Sequence, residues 1–122
     1  MKVAGLGFRA SADVASLRAA LAAAGGAEGV TALATSEAKA GAAAILAFAA
    51  ELGVPVIPVS AVHLAAQNTL TDSARVRAKT GAGSLAEAAA LAASGSDARL
   101  LASRAVSADR MATAAIAVRI KL

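Results

Sequence analysis

The sequence predicts an α/β fold: a single three-layer α/β/α domain, residues 1–122, on a mixed and mostly parallel sheet. Three observations predict it. Short apolar runs alternate with helix-patterned stretches along the chain, Ser and Gly punctuate their ends, and the last segment, "AIAVRIKL", alternates with a period of two.

The elements follow in order. Val3 to Phe8 reads as a buried strand, and Ser11 as the cap of a helix whose Val14, Leu17 and Leu21 share a face before Gly25-Gly26 ends it. "VTALAT" suits a second strand, Ser36 a second cap, and Ile45, Phe48, Ala49 and Leu52 form a helix stripe that stops at Gly53. "VPVIPV" is a short extended segment whose prolines withhold ladder donors, and Ser60 caps a short helix through Gln67. "NTLTDSA" then leads into a short basic helix with Arg75, Arg77 and Lys79, closed by Gly81. Ser84 and Glu87 form an S-x-x-E capping box that opens the helix "LAEAAALAA". "ARLLAS" reads as a strand. In the final segment Ile116, Val118, Ile120 and Leu122 alternate with Ala117, Arg119 and Lys121, which predicts a strand with one wet face.

Composition narrows the function. Hydrophobic residues make up 58% of the chain, but Ala alone accounts for 40 of the 122 residues, so small side chains set the packing. Phe8 and Phe48 are the only aromatics, which argues against the stacking surfaces of single-stranded nucleic-acid binders. Without cysteine there is no disulfide or thiolate chemistry, and one histidine leaves no histidine-based metal cluster, so no metal is expected. The charge-free run Ala40 to Ala50 is shorter than the roughly 18 residues of a membrane span. Gly5, Gly7 and Arg9 interrupt the amino-terminal apolar run too early for a signal peptide. A soluble cytoplasmic protein is the expectation, with no nucleic-acid or membrane partner.

The net charge of +4 is uneven: residues 75–122 carry 8 basic and 3 acidic side chains, against 4 and 5 in residues 1–74. That bias favours an anionic partner. "GLGFRA" spaces Gly5, Gly7 and Ala10 as a dinucleotide-binding turn would, with Glu37 just past the second strand; this leaves dinucleotide binding as one reading. Arg9 is an uncommon residue inside such a turn. "KTGAGS" has more physical content, because Thr80, Gly81, Gly83 and Ser84 let a ligand reach bare backbone ahead of a helix that presents free N–H groups. Carboxylates or phosphates suit it.

"AGLGFR", "ALATSEAKA", "GVPV", "TGAGSLAEAAALAA" and "DRMATAAIA", in that order, resemble the CobE family of cobalamin biosynthesis, itself similar to the carboxyl-terminal domain of CbiG, the cobalt-precorrin-5A hydrolase. The resemblance covers essentially the whole chain and departs at Ala82 and Leu85, neither a change of charge; nothing resembles the hydrolase's amino-terminal part. It implies a corrinoid intermediate as ligand or substrate, no other cofactor, and other cobalamin-pathway enzymes as partners. Corrin precursors are apolar macrocycles fringed with acetate and propionate carboxylates. On that implication Gly5, Gly7, Arg9, Thr35, Lys39, Thr80, Gly81, Gly83 and Ser84 form the ligand-binding set, with Arg9 as a bidentate fork for a carboxylate. Glu87 is then either a general base for opening the ring lactone, with acetaldehyde released, or a capping residue. Lys39 faces ligand or solvent, His63 has no visible partner, and Asp109 and Arg110 read as turn and surface charges.

Overall fold

The structure, a computed structural model, describes residues 1–67, 69, 84–95 and 97–119. Its sheet has six strands: β1 (Lys2–Phe8), β2 (Ala32–Ser36), β3 (Val56–Val59), β4 (Ala98–Leu100), β5 (Ala105–Val106) and β6 (Ala112–Arg119). The order is β3-β2-β1-β6-β4, and β5 also pairs with β6. β1, β2 and β3 are parallel neighbours, while β6 lies antiparallel to β1, β4 and β5. Five strands therefore run one way and β6 runs against them. Among the described residues four helices flank the sheet: α1 (Val14–Ala24), α2 (Ala43–Leu52), α3 (Ala61–Ala65) and α4 (Leu85–Ser94).

Side-chain alternation along β1 sorts the two faces. Ala4, Leu6 and Phe8 join Leu33 of β2 and Ile116 of β6 under α1 and α2, where Leu17, Leu21, Ile45 and Phe48 fill the layer. On the other face Val3, Ala32, Ala34 and Val59 meet Leu64 of α3 and Leu85, Ala88 and Ala89 of α4. Ala117 of β6 packs with Ala90 and Leu91. Every residue from Ser84 to Leu91 is buried, which explains a helix that is apolar nearly all round.

Gly5 makes that packing possible. A Cβ there would lie 1.9 Å from the carbonyl oxygen of Ala86 and 2.6 Å from the nitrogen of Ala90, so the strand and the helix meet main chain to main chain.

Several local expectations are corrected. The cap of α1 is Asp13 rather than Ser11: its carboxylate accepts from the Ser16 N–H at 3.0 Å. Ser36 ends β2 and its carbonyl accepts from Lys39 and Ala40 in a turn, so α2 starts only at Ala43, after Ala42. The short helix after Ser60 ends at Ala65 and not at Gln67. β6 begins at Ala112 and has no wet face along its centre, because it lies inside the sheet with α1 on one face and α4 on the other; Ala114 through Ala117 are all buried. Its alanines are the small side of a covered strand. The β5–β6 hairpin turn, residues 107–111, supplies the antiparallel return. The basic helix at 75–79, all of "NTLTDSA" except Thr69, Gly81 and the stretch Ile120 to Leu122 lie outside the described residues.

Both sheet borders are short. The carbonyls of Pro55 and Val59 accept from Leu33 of β2 and from Glu37 just after it, so Pro58, an even position, turns its backbone nitrogen outward. On the far side, β4 and β5 share one flank of β6 and are separated by residues 101–104.

Candidate functional site

In open α/β sheets ligands gather beyond the carboxyl ends of the parallel strands. Here those ends are Phe8, Ser36 and Val59, with the start of β6 beside β1. Leu85, in the first turn of α4, packs near Gly7 while Ala90 packs near Gly5, so α4 runs against β1 and its amino terminus comes to the same edge.

Two cationic residues that are 30 positions apart in sequence both reach the end of β1, Lys39 through its side chain and Arg9 as the residue that follows Phe8. The Lys39 ammonium donates to the carbonyl of Phe8, the residue bonded to Arg9, and stands 5.0 Å from the centroid of the Phe8 ring. Lys39 thus ties the turn after β2 to the end of β1. Arg9 is exposed, and its backbone N–H donates to the Met111 carbonyl at 2.9 Å, continuing the β1–β6 ladder past Phe8.

The 107–111 turn is clamped against this loop. Asp109 accepts from the hydroxyls of Ser107 and Ser16, the latter at 2.6 Å, and from the Met111 N–H at 3.0 Å. These donors, Ser107 first and Ser16 second, hold the Asp109 carboxyl below the ordinary aspartate range.

Other expected residues take interior places. Gly5 and Gly7 lie within β1 rather than in the turn after it, Gly5 under α4 and Gly7 beside Leu85 and the Thr113 hydroxyl. A dinucleotide turn needs such glycines past the strand end, where the pyrophosphate approaches, and that is not where this chain has them. Thr35 is fully buried and donates its hydroxyl to the Leu6 carbonyl at 2.8 Å. Ser84 is the cap of α4, accepting from the Glu87 N–H at 3.4 Å. The Glu87 carboxylate, buried as well, accepts from the Arg104 backbone N–H at 2.6 Å, across the gap between β4 and β5. Sequence reasoning offered Glu87 a base or a capping role and missed this cross-link, because no local spacing relates residues 17 positions apart. His63 is exposed, with Nδ1 3.0 Å from the Ser60 hydroxyl within the same short cap. Thr80, Gly81 and Gly83 lie outside the described residues.

Among the described residues no group of three or more His, Cys, Asp or Glu side chains is placed to hold a metal ion, and no helix is long and apolar enough to cross a membrane.

The model of the family described as cobalamin synthesis G C-terminus matches residues 2–117. The chain belongs to that family. Solved structures agree with the cobalamin synthesis G assignment. The crystal structure of CobE, a protein from the cobalamin (vitamin B12) biosynthetic pathway, is 29% identical and superposes with a TM-score of 0.82, covering 96% of this chain and 92% of that one. The cobalamin biosynthesis protein chiG from Agrobacterium tumefaciens is 38% identical with a TM-score of 0.74, covering 99% of this chain and 100% of that one. No curated protein matches the chain. The CobE resemblance read from the sequence and the α/β fold are both upheld.

Proposed function

We propose that this cobalamin-synthesis family member binds or handles a corrinoid intermediate in the cytoplasm, as one domain, holding peripheral carboxylates of the ligand at the carboxyl edge of β1 and β2. The observation that carries the reading is the bond from the Lys39 ammonium to the Phe8 carbonyl, which brings a second cationic residue to the end of β1, where Arg9 follows in the chain. A guanidinium presents a planar fork to a carboxylate, and an ammonium adds a point charge beside it. Thr80, Gly81 and Gly83, which lie outside the described residues, and the α4 cap residue Ser84 complete the proposed contact set. Gly5, Gly7 and Thr35 support the site from within the sheet.

Hydrolysis of the ring lactone is the competing reading, and Glu87 separates the two. A general base needs a lone pair facing water, whereas this carboxylate is buried and takes the Arg104 N–H. Glu87→Gln keeps an acceptor for that N–H and keeps the cap, so the variant is expected to fold and to bind ligand as the parent does.

The test is co-elution. Cobyrinic acid, a coloured corrin with free carboxylates, is expected to pass through gel filtration with the protein, and a nicotinamide dinucleotide is not. Arg9→Ala should weaken corrin binding by about 1.5–3 kcal/mol, the range of charge-assisted hydrogen bonds, without loss of fold. Failure of the corrin to co-elute overturns the reading. Acetaldehyde release from cobalt-precorrin-5A by the parent, abolished in Glu87→Gln, replaces it with the hydrolase.

A further inference from the structure

Arg110 stands alone in one respect: among the described residues it is the one non-glycine residue with positive φ, at 59°. Left-handed turn positions favour glycine or asparagine, since any other side chain crowds its own carbonyl. The turn itself does not need an arginine. The backbone N–H of Arg110 donates to the Ser107 carbonyl at 2.9 Å, a bond that any residue except proline provides.

The surroundings leave its charge uncompensated. Asp109, the adjacent carboxylate, is taken up by neutral donors: the Ser107 and Ser16 hydroxyls and the Met111 N–H. Asp13, on the neighbouring loop, caps α1 through the Ser16 N–H. Arg9 is joined to the same turn through Met111, so two exposed arginines occupy adjoining tips of the β1–β6 ladder. Neither guanidinium has a hydrogen bond or ion pair among the described residues. Two cationic residues on adjoining turns favour a polyanion over a single anion.

We infer that Arg110 is a second ligand-binding residue, which takes a carboxylate on the arm next to the one held by Arg9, with the left-handed turn and the Asp109 clamp fixing the spacing of the pair. This rests on the corrinoid reading and specifies it: the ligand class is a polyacid with carboxylates on neighbouring side arms. Asp109 acts as a positioning residue, since it touches the turn and not the ligand.

Arg110→Gly tests the inference, because glycine suits a φ of 59° and removes only the side chain. The variant should keep or raise the thermal midpoint of the parent while its affinity for cobyrinic acid, read by absorbance titration, falls about tenfold, the loss of one charge-assisted contact. The permethyl ester of cobyrinic acid, without carboxylates, should bind the parent and the variant alike. Arg110→Lys, which keeps the charge and loses the fork, should fall between them. If Arg110→Gly binds the acid as the parent does while Arg9→Ala does not, the inference falls and the corrinoid reading stands. A thermal midpoint that drops in step with affinity assigns Arg110 to the turn alone, which also overturns it. Failure of the parent to bind the acid overturns both.

Discussion

The two faces of the sheet are packed by opposite means. Under α1 and α2 the layer is filled by large side chains, with Phe48, Leu6, Leu17, Leu21 and Ile45 fully or almost fully buried. Under α4 the sheet offers Gly5, Ala32, Ala34 and Ala117, and the helix answers with Ala86, Ala88, Ala89 and Ala90. The first face holds its helices at side-chain length; the second brings main chain against main chain. One is therefore sensitive to lost volume and the other to added volume.

The sharpest test of that contrast is Gly5→Ala. A methyl group 1.9 Å from the Ala86 carbonyl oxygen and 2.6 Å from the Ala90 nitrogen meets only the backbone of α4, which no rotamer change can move aside. The loss should exceed the usual cost of overpacking, about 1–3 kcal/mol, and chemical denaturation should show α4 undocked or the whole chain unfolded. A variant as stable as the parent would refute the close approach.

Phe48→Ala is the mirror experiment on the other face. It should cost about 3–5 kcal/mol, the range for emptying a buried aromatic site, read as a fall in the urea midpoint with an unchanged slope. A third change returns to the alanine face: Ala89→Gly removes one buried methyl and adds helix entropy, for roughly 1–2 kcal/mol. If Ala89→Gly proved as costly as Phe48→Ala, volume would matter equally on both faces and the comparison would fail.

The smallest effect concerns pH. Asp109 joins α1 to the hairpin on the large-residue side, and its folded carboxyl titrates below the ordinary range. A depressed value means that its contribution is present above the unfolded value of about 3.9 and is lost as pH falls through the lower folded one. Asp109→Asn should therefore lower the thermal midpoint modestly at neutral pH, where the contribution is present, and flatten its fall below about pH 4, where the parent loses that contribution and the two proteins converge. An unaltered acid limb would remove Asp109 from the clamp.

What was legible in the sequence follows from range. Period and punctuation are local, so every described helix and the strands β1, β2, β3, β4 and the core of β6 were visible. The caps were misplaced where two candidates compete: Ser11 and Asp13 both suit an N-cap, and only the bond to Ser16 decides between them. Alternation along "AIAVRIKL" looked like a wet face because alanine reads as indifferent, and only the close seat of α4 shows those alanines to be interior. The glycines of "GLGFRA" were read as a ligand turn for the same reason, since a glycine that admits a helix and one that admits a ligand are the same letter. Of the site, Arg9 and Lys39 are legible separately, but the arrival of Lys39 at the Phe8 carbonyl depends on the parallel pairing of β1 and β2. Arg110 reads from the sequence as a turn and surface charge and lies on an exposed turn; its positive φ has no sequence signature.

The borders of the sheet bear on how these molecules behave when crowded. Aggregation by strand addition needs a long, continuous row of unpaired backbone groups. At one border β3 is four residues long and turns the donorless nitrogen of Pro58 toward any incoming chain. At the other, the row breaks at residues 101–104, where the Arg104 N–H is already committed to Glu87. A chain so rich in alanine has few charges with which to repel its neighbours, and among the described residues both edges offer an incoming strand only short, interrupted rows of backbone groups.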